Sequence, residues 1–156
     1  MKEKMTIILF SGELDKAIAA FTLATTAAAG NMEVTIFFTF WGLNILKKER
    51  LTLSATQKLM QKLFNLMSTS SLPISRLNMF GMGAWMMKKL MRKTNAASLQ
   101  DLMKLAKELG VKYIACTTSC SVLGLTAKNL TEEVDEFAGA ATYLSEAKEA
   151  KINLFI

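Results

Sequence analysis

Histidine is absent from all 156 residues. That absence removes Ser-His and Cys-His dyads, imidazole proton shuttles and Cys/His zinc sites from the chemistry open to the chain. A single proline, Pro73, argues against long Pro-rich linkers. The two cysteines, Cys116 and Cys120, are too few for a disulfide scaffold. They suit a reducing compartment, in which thiols do chemistry rather than staple the fold. No uncharged apolar run approaches the length of a membrane span. The apolar stretch at residues 5–10 runs at once into Ser-Gly-Glu-Leu-Asp-Lys, unlike a signal peptide. The expectation is a cytoplasmic protein.

What is present fits one domain over residues 1–156, with a sizeable core. Hydrophobic residues make up 51% of the chain, slightly high for a soluble domain, and the excess suits burial against another subunit or partner. Nineteen Lys and Arg against 13 Asp and Glu give a formal charge of +6. The bases are spread over helix faces and no nucleic-acid motif accompanies them. The charge therefore reads as solubility and general anion attraction, with no nucleic-acid partner.

Apolar, β-branched runs at residues 5–10, 34–40, 111–116 and 152–156 read as buried strands. A fifth strand is expected near residues 75–80. Residues 13–30 read as an Ala-rich helix, with Ser11 as cap and Gly30 as stop. Ser11 and Gly12 form a strand-to-helix turn that is either an anion cradle or a plain helix cap. Trp41 and Gly42 follow the second strand; Trp41 either walls a pocket or packs. Residues 43–48 look like a short helical turn and residues 56–68 like an amphipathic helix. Residues 98–109 make a helix with a Ser98/Asp101 capping box and a stripe of Leu99, Leu102, Met103, Leu105, Ala106 and Leu109. Residues 131–150 read as a helical region capped by Thr131, with Val134, Phe137, Ala138, Ala141 and Leu144 inward. Residues 79–93 hold five of the 11 methionines, with Lys88, Lys89, Arg92 and Lys93 on another helical face. That segment is a core or subunit contact, a mobile lid or partner face, or, least of all, a membrane-surface helix. Strands alternating with helices point to an α/β fold, a parallel sheet of about five strands with helices on both faces.

The chemistry centres on Tyr-Ile-Ala-Cys-Thr-Thr-Ser-Cys-Ser-Val-Leu-Gly, residues 113–124. A strand delivers Cys116 to its carboxyl end, where ligands sit in open α/β sheets, and a short helix follows. A thiol beside free backbone N–H groups has a lowered pKa. Four readings compete: a persulfide-carrying nucleophile at Cys116, a Cys116–Cys120 redox pair, two inert core residues, and metal ligation. Two Cys without His cannot close a zinc site, so no metal is expected.

These residues resemble the DsrE/DsrF/DrsH-like sulfur-relay family, in its DsrE-like "peroxiredoxin family" branch, over nearly the whole chain. The resemblance is carried by Ser-Gly-Glu-Leu-Asp-Lys-Ala at residues 11–17 and Val-Thr-Ile-Phe-Phe-Thr-Phe-Trp-Gly-Leu at 34–43. It continues in Leu-Asn-Met-Phe-Gly-Met-Gly at 77–83 and in Glu-Leu-Gly-Val-Lys at 108–112, which leads into Cys116. No peroxidatic-cysteine motif accompanies it. The resemblance implies a flavodoxin-like fold, homo-oligomers, and persulfide transfer among rhodanese-like and TusA-like carriers, with no cofactor. Cys116 stands at the family's recurrent cysteine. The family usually reads Cys-x-x-Ser-x with Met or another apolar residue in the last place; here that place is Cys120, which either resolves the persulfide or packs. The site expected is Cys116, with the backbone of Thr117, Thr118 and Ser119 holding the anion. Ser11, Gly12, Trp41, Gly42, Met79, Phe80 and Gly81 would line the pocket. The function expected is a sulfur carrier or sulfurtransferase. The alternative is a non-catalytic small-ligand-binding or assembly subunit, and third comes a dithiol redox protein.

Overall fold

The β-branched and aromatic runs form strands, and those strands pair in parallel. The computed structural model describes residues 2–48, 72–76 and 81–156. Strands β1 (Lys4–Leu9), β2 (Glu33–Phe38), β3 (Lys112–Cys116), β4 (Glu136–Ala138) and β5 (Ile152–Phe155) make one sheet in the order β4-β3-β2-β1-β5. All its pairings are parallel, and the register sets Leu9 beside Phe38, Phe38 beside Ala115, and Cys116 beside Ala138. The helices are α1 (Leu14–Ala29), α2 (Met82–Lys93), α3 (Leu99–Glu108), α4 (Thr117–Leu123) and α5 (Ala140–Glu149), with a 3-10 helix at Phe40–Leu46.

Side chains alternate across the sheet, so each strand feeds two cores. Met5, Ile7, Leu9, Val34, Ile36, Phe38, Tyr113 and Ala115 pack with Ala17, Ala20, Phe21 and Ala24 of α1 and Leu102 and Ala106 of α3. The alanines let α1 lie close, and Phe21 reaches in to meet Phe38 at 6.2 Å and Tyr113 at 5.8 Å between ring centroids. On the opposite face Phe37, Ile114, Cys116 and Ala138 pack with Tyr143 of α5. The expected α/β architecture, with helices on both faces of a five-stranded parallel sheet, is the one observed.

Several local expectations need correction. Ser11 does not cap α1: the N-cap is Glu13, and the Leu14 N–H donates to the Pro73 carbonyl at 2.7 Å. The chain around Pro73 supplies the acceptor, and Asp15 accepts from the Ser75 N–H and hydroxyl. Gly30 is the C-cap at φ −76°, and Asn31 takes the left-handed conformation at φ 66°. The second strand stops at Phe38, two residues before the expected end, because Thr39 opens the 3-10 helix.

The largest difference lies in residues 131–150, expected as one helix capped by Thr131. The chain there is a turn, then β4, then α5. Asp135 holds it extended: its carboxylate accepts the Tyr113 N–H at 2.7 Å and its own N–H donates to the Tyr113 carbonyl at 3.0 Å. Lys107 closes the arrangement with a 2.6 Å ion pair to the same carboxylate. Pairing at the open edge of β3 overrides helix propensity. β4 is the fifth strand of the described sheet; of the stretch near residues 75–80 expected to supply one, Ser75 and Arg76 form a bend and residues 77–80 lie outside the described residues. Phe137 and Leu144, expected inward, are exposed, and Tyr143 is the buried anchor of α5.

The capping box of α3 is present, with Ser98 Oγ accepting from the Asp101 N–H at 3.2 Å. Leu102 and Ala106 are buried, but Leu105 and Leu109 of the expected stripe are exposed. Ser98→Ala should cost about 1 kcal/mol of stability, read from the urea midpoint at constant slope. On α2 only Ala84 is buried; Met82, Trp85, Met86 and Leu90 face solvent, so that helix is not core. The helix expected at residues 56–68, together with Met79 and Phe80, lies outside the described residues.

Candidate functional site

β3 ends at Cys116, and the chain turns directly into α4. Cys116 is the N-cap of that helix, with φ −68° and ψ 117°, and Gly124 ends it in the left-handed conformation at φ 66°. A residue at this joint faces the first free N–H groups of the helix. Cys116 itself is 6% exposed. Burial pushes its pKa up, yet the balance falls below the ordinary thiol value. The Ser119 hydroxyl and N–H, the Thr39 hydroxyl and the Thr118 N–H all stabilise the thiolate and outweigh the desolvation. Ser119 is 1% exposed, and its Oγ lies 2.8 Å from the Thr39 Oγ1.

Cys120 has the opposite character. It packs into the core shared with α1, while Cys116 packs with Phe37, Ile114, Ala138 and Tyr143 on the other face. Burial pushes the Cys120 thiol up to about 11, with a further contribution from the neighbouring Cys116 charge. One chain segment therefore carries an ionisable thiol and a thiol kept protonated.

The other expected site residues fall into three groups. Ser119 and the backbone N–H of Thr118 gather around Cys116, whereas the Thr117 carbonyl accepts from the Ser121 hydroxyl at 3.0 Å; the side chains of Thr117 and Thr118 are both exposed. Gly12, Trp41 and Gly42 meet at the carboxyl ends of β1 and β2. A Cβ on Gly12 would stand 2.6 Å from the Trp41 carbonyl oxygen, and one on Gly42 would stand 1.9 Å from the Leu9 carbonyl oxygen. These glycines let two turns press together. The Ser11 N–H already donates to the Ile156 carbonyl at 3.2 Å. Gly81 is the N-cap of α2 at φ 95°, and no atom of the described residues lies within 4 Å of where its Cβ would be.

Sequence reasoning missed Thr39, which it placed inside the second strand. The signal available was a hydroxyl at the carboxyl end of a strand expected to neighbour β3. A cleft of about 400 Å³ lies at the other, amino-terminal edge of the sheet, lined by Lys2, Lys4, Lys112, Glu33 and Glu146 among others. Two of its lysines are engaged: Lys4 pairs with Glu149 at 2.5 Å and Lys112 with Glu136 at 2.8 Å. Among the described residues no group of three His, Cys, Asp or Glu side chains converges as metal ligands. No helix among them is long and apolar enough to cross a membrane.

Known proteins resemble this chain in sequence and in fold. The chain is 44% identical over 157 residues to the uncharacterized protein YrkE of Bacillus subtilis, covering 99% of this chain and 97% of that one. It is 36% identical over 163 residues to the sulfur carrier protein DsrE2 of Allochromatium vinosum, covering 99% of both. Among solved structures, the E. coli YchN protein superposes with a TM-score of 0.59 at 11% identity, over the full length of both chains. The protein of unknown function MTH1491 from Methanobacterium thermoautotrophicum gives 0.57 at 9% identity, over 99% of this chain and 100% of its own. Those two likenesses bear on the fold, which is flavodoxin-like. The model of the DsrE/DsrF/DrsH-like family matches residues 1–155, and the chain belongs to that family.

Proposed function

We propose that this chain is a sulfur carrier that takes up sulfane sulfur on Cys116 and passes it on as a persulfide. The observation that carries this reading is the buried Cys116 thiol, held below its ordinary pKa by hydroxyl and backbone donors. Sulfur transfer needs a thiolate and hydrogen-bond donors, and no histidine. The Cys116 thiolate attacks the outer sulfur of a donor persulfide, R–S–SH. A sulfur–sulfur bond forms at Cys116, the donor's S–S bond breaks, and R–S⁻ leaves. Discharge is the same step reversed onto an acceptor thiolate, and a low-pKa Cys116 is a good leaving group. The donors and acceptors that suit this exchange are rhodanese-like and TusA-like thiol carriers, in a reducing cytoplasm. Relationship to a protein named as a sulfur carrier supports the reading. Homo-oligomerisation through the solvent-facing apolar side of α2 belongs to the same proposal.

The Cys120 thiol has no part in transfer on this reading. It is protonated at neutral pH and packed on the far side of the sheet from Cys116, which disfavours a disulfide between them. The test is intact-protein mass after incubation with a persulfide donor, followed by peptide mapping. The expected result is a gain of one sulfur atom, removed by dithiothreitol and mapped to Cys116. No adduct, with both thiols slow toward alkylation, would move the assignment to a non-catalytic binding or assembly subunit.

A further inference from the structure

Thr39 follows the last residue of β2, and three features of the main chain hold it in place. Its N–H donates to the Leu9 carbonyl at 3.1 Å, and its own carbonyl accepts from the Gly42 N–H at 3.0 Å. The same Gly42 N–H reaches the Phe10 carbonyl at 2.8 Å, which locks the turn onto β1. Phe40, the next residue, sits at φ 45°, a left-handed conformation that a bulky aromatic residue adopts only at a cost. The result is that the Thr39 hydroxyl projects to Ser119, 80 residues away in the chain and 2.8 Å away in space.

Two hydroxyls and one sulfur form this corner, and the thiolate brings no proton. Two hydroxyl protons are then shared among three contacts. Ser119 is on the same turn as Cys116, and its N–H also supports the sulfur, so the Ser119 hydroxyl is the one set to donate there. Its oxygen is then free to accept from Thr39. Each bond in such a chain polarises the next.

We infer that Thr39 serves the sulfur chemistry in two ways: its hydroxyl stands within reach of the Cys116 sulfur, and by donating to the Ser119 Oγ it aims the Ser119 proton at that sulfur. The backbone outlier at Phe40 is the conformational cost of that placement. The inference rests on Cys116 being the working thiol and deepens the sulfur-carrier reading.

The test follows the pH dependence of Cys116 alkylation by iodoacetamide, resolved by peptide mapping, in the full chain. Thr39→Val removes the hydroxyl at nearly constant volume. Its alkylation midpoint should rise by about one pH unit, with roughly tenfold slower reaction below the midpoint and an unchanged plateau above it. Thr39→Ser keeps the hydroxyl and should titrate as the wild type. Thr39→Ala serves as the second deletion if the valine variant does not fold. A wild-type profile in the folded deletion variant overturns the inference. So does a serine variant that behaves like the deletion, because that outcome marks a packing role. Alkylation reports the thiolate whether or not sulfur loads. A shifted profile in a protein that takes up no sulfur would therefore keep this inference and sink the carrier reading.

Discussion

Cys116→Ser should abolish persulfide loading, while Cys120→Ala should load within about twofold of the wild type. The contrast follows from where each thiol sits. Cys116 stands where the strand ends and helix donors begin, and those donors overcome the burial that opposes its ionisation. Cys120 has burial working against it and a neighbouring negative charge besides, so its thiol lies at about 11. At pH 7 only about one such thiol in ten thousand is ionised. Alanine is the informative replacement at Cys120, because serine would bury a hydroxyl in an apolar core. The signs of the pH dependence also differ. The folded Cys116 releases its proton below the ordinary thiol value, so its contribution to stability is present above that value and is lost as pH falls through the folded one. Cys120 is raised, so its contribution is present below the ordinary value and is lost as pH rises toward about 11. The loading rate of the wild type should rise with pH and level off below the ordinary thiol range. A rate still climbing in that range, or loading that survives in Cys116→Ser and vanishes in Cys120→Ala, would overturn the assignment of Cys116.

Much of this fold is local in origin, and that part could be read from residue order. The strand runs at residues 5–10 and 111–116, the Ala-rich α1, and the Ser98/Asp101 box each carry their own signal, and each is found within a residue or two. The misses have non-local causes. β4 has only three residues, and it is a strand because Asp135 grips the backbone of Tyr113. Phe137 and Leu144 fit a helical stripe on paper, but the edge pairing rotates both outward and gives the anchoring role to Tyr143. The site shows the same division. Cys116 and Ser119 are legible because they share one turn of chain. Thr39 is not, because it reaches Ser119 only through the β2–β3 pairing of Phe38 with Ala115 and the bend that follows. Gly12 and Gly42 are conspicuous in the sequence, yet their value lies in backbone contact, which no motif spells out.

Gly42→Ala should be the most damaging single-methyl change among the described glycines. The added Cβ would sit 1.9 Å from the Leu9 carbonyl oxygen and 2.8 Å from its carbon. Neither atom can swing away, because both belong to a core strand, and the same oxygen accepts the Thr39 N–H at 3.1 Å. Relief requires β1 and the 3-10 helix to part, which breaks the Gly42-to-Phe10 and Thr39-to-Leu9 hydrogen bonds together. Overpacking of this kind with loss of buried hydrogen bonds costs about 4 kcal/mol or more, a fall in Tm on the order of 10 °C for a domain of this size. Gly139→Ala is the control. Its Cβ would meet nothing nearer than the Thr117 Oγ1 at 4.0 Å, at an ordinary φ of −92°, so the cost should stay under about 1 kcal/mol. Thermal unfolding of the two variants, followed by far-UV circular dichroism, separates close packing from the bare effect of a methyl group. If Gly42→Ala melts with Gly139→Ala, the β1–β2 joint is not closed as described. If Gly42→Ala folds with a lowered Tm, its Cys116 alkylation midpoint should rise as in Thr39→Val, because the joint that Gly42 permits is what carries Thr39 to Ser119.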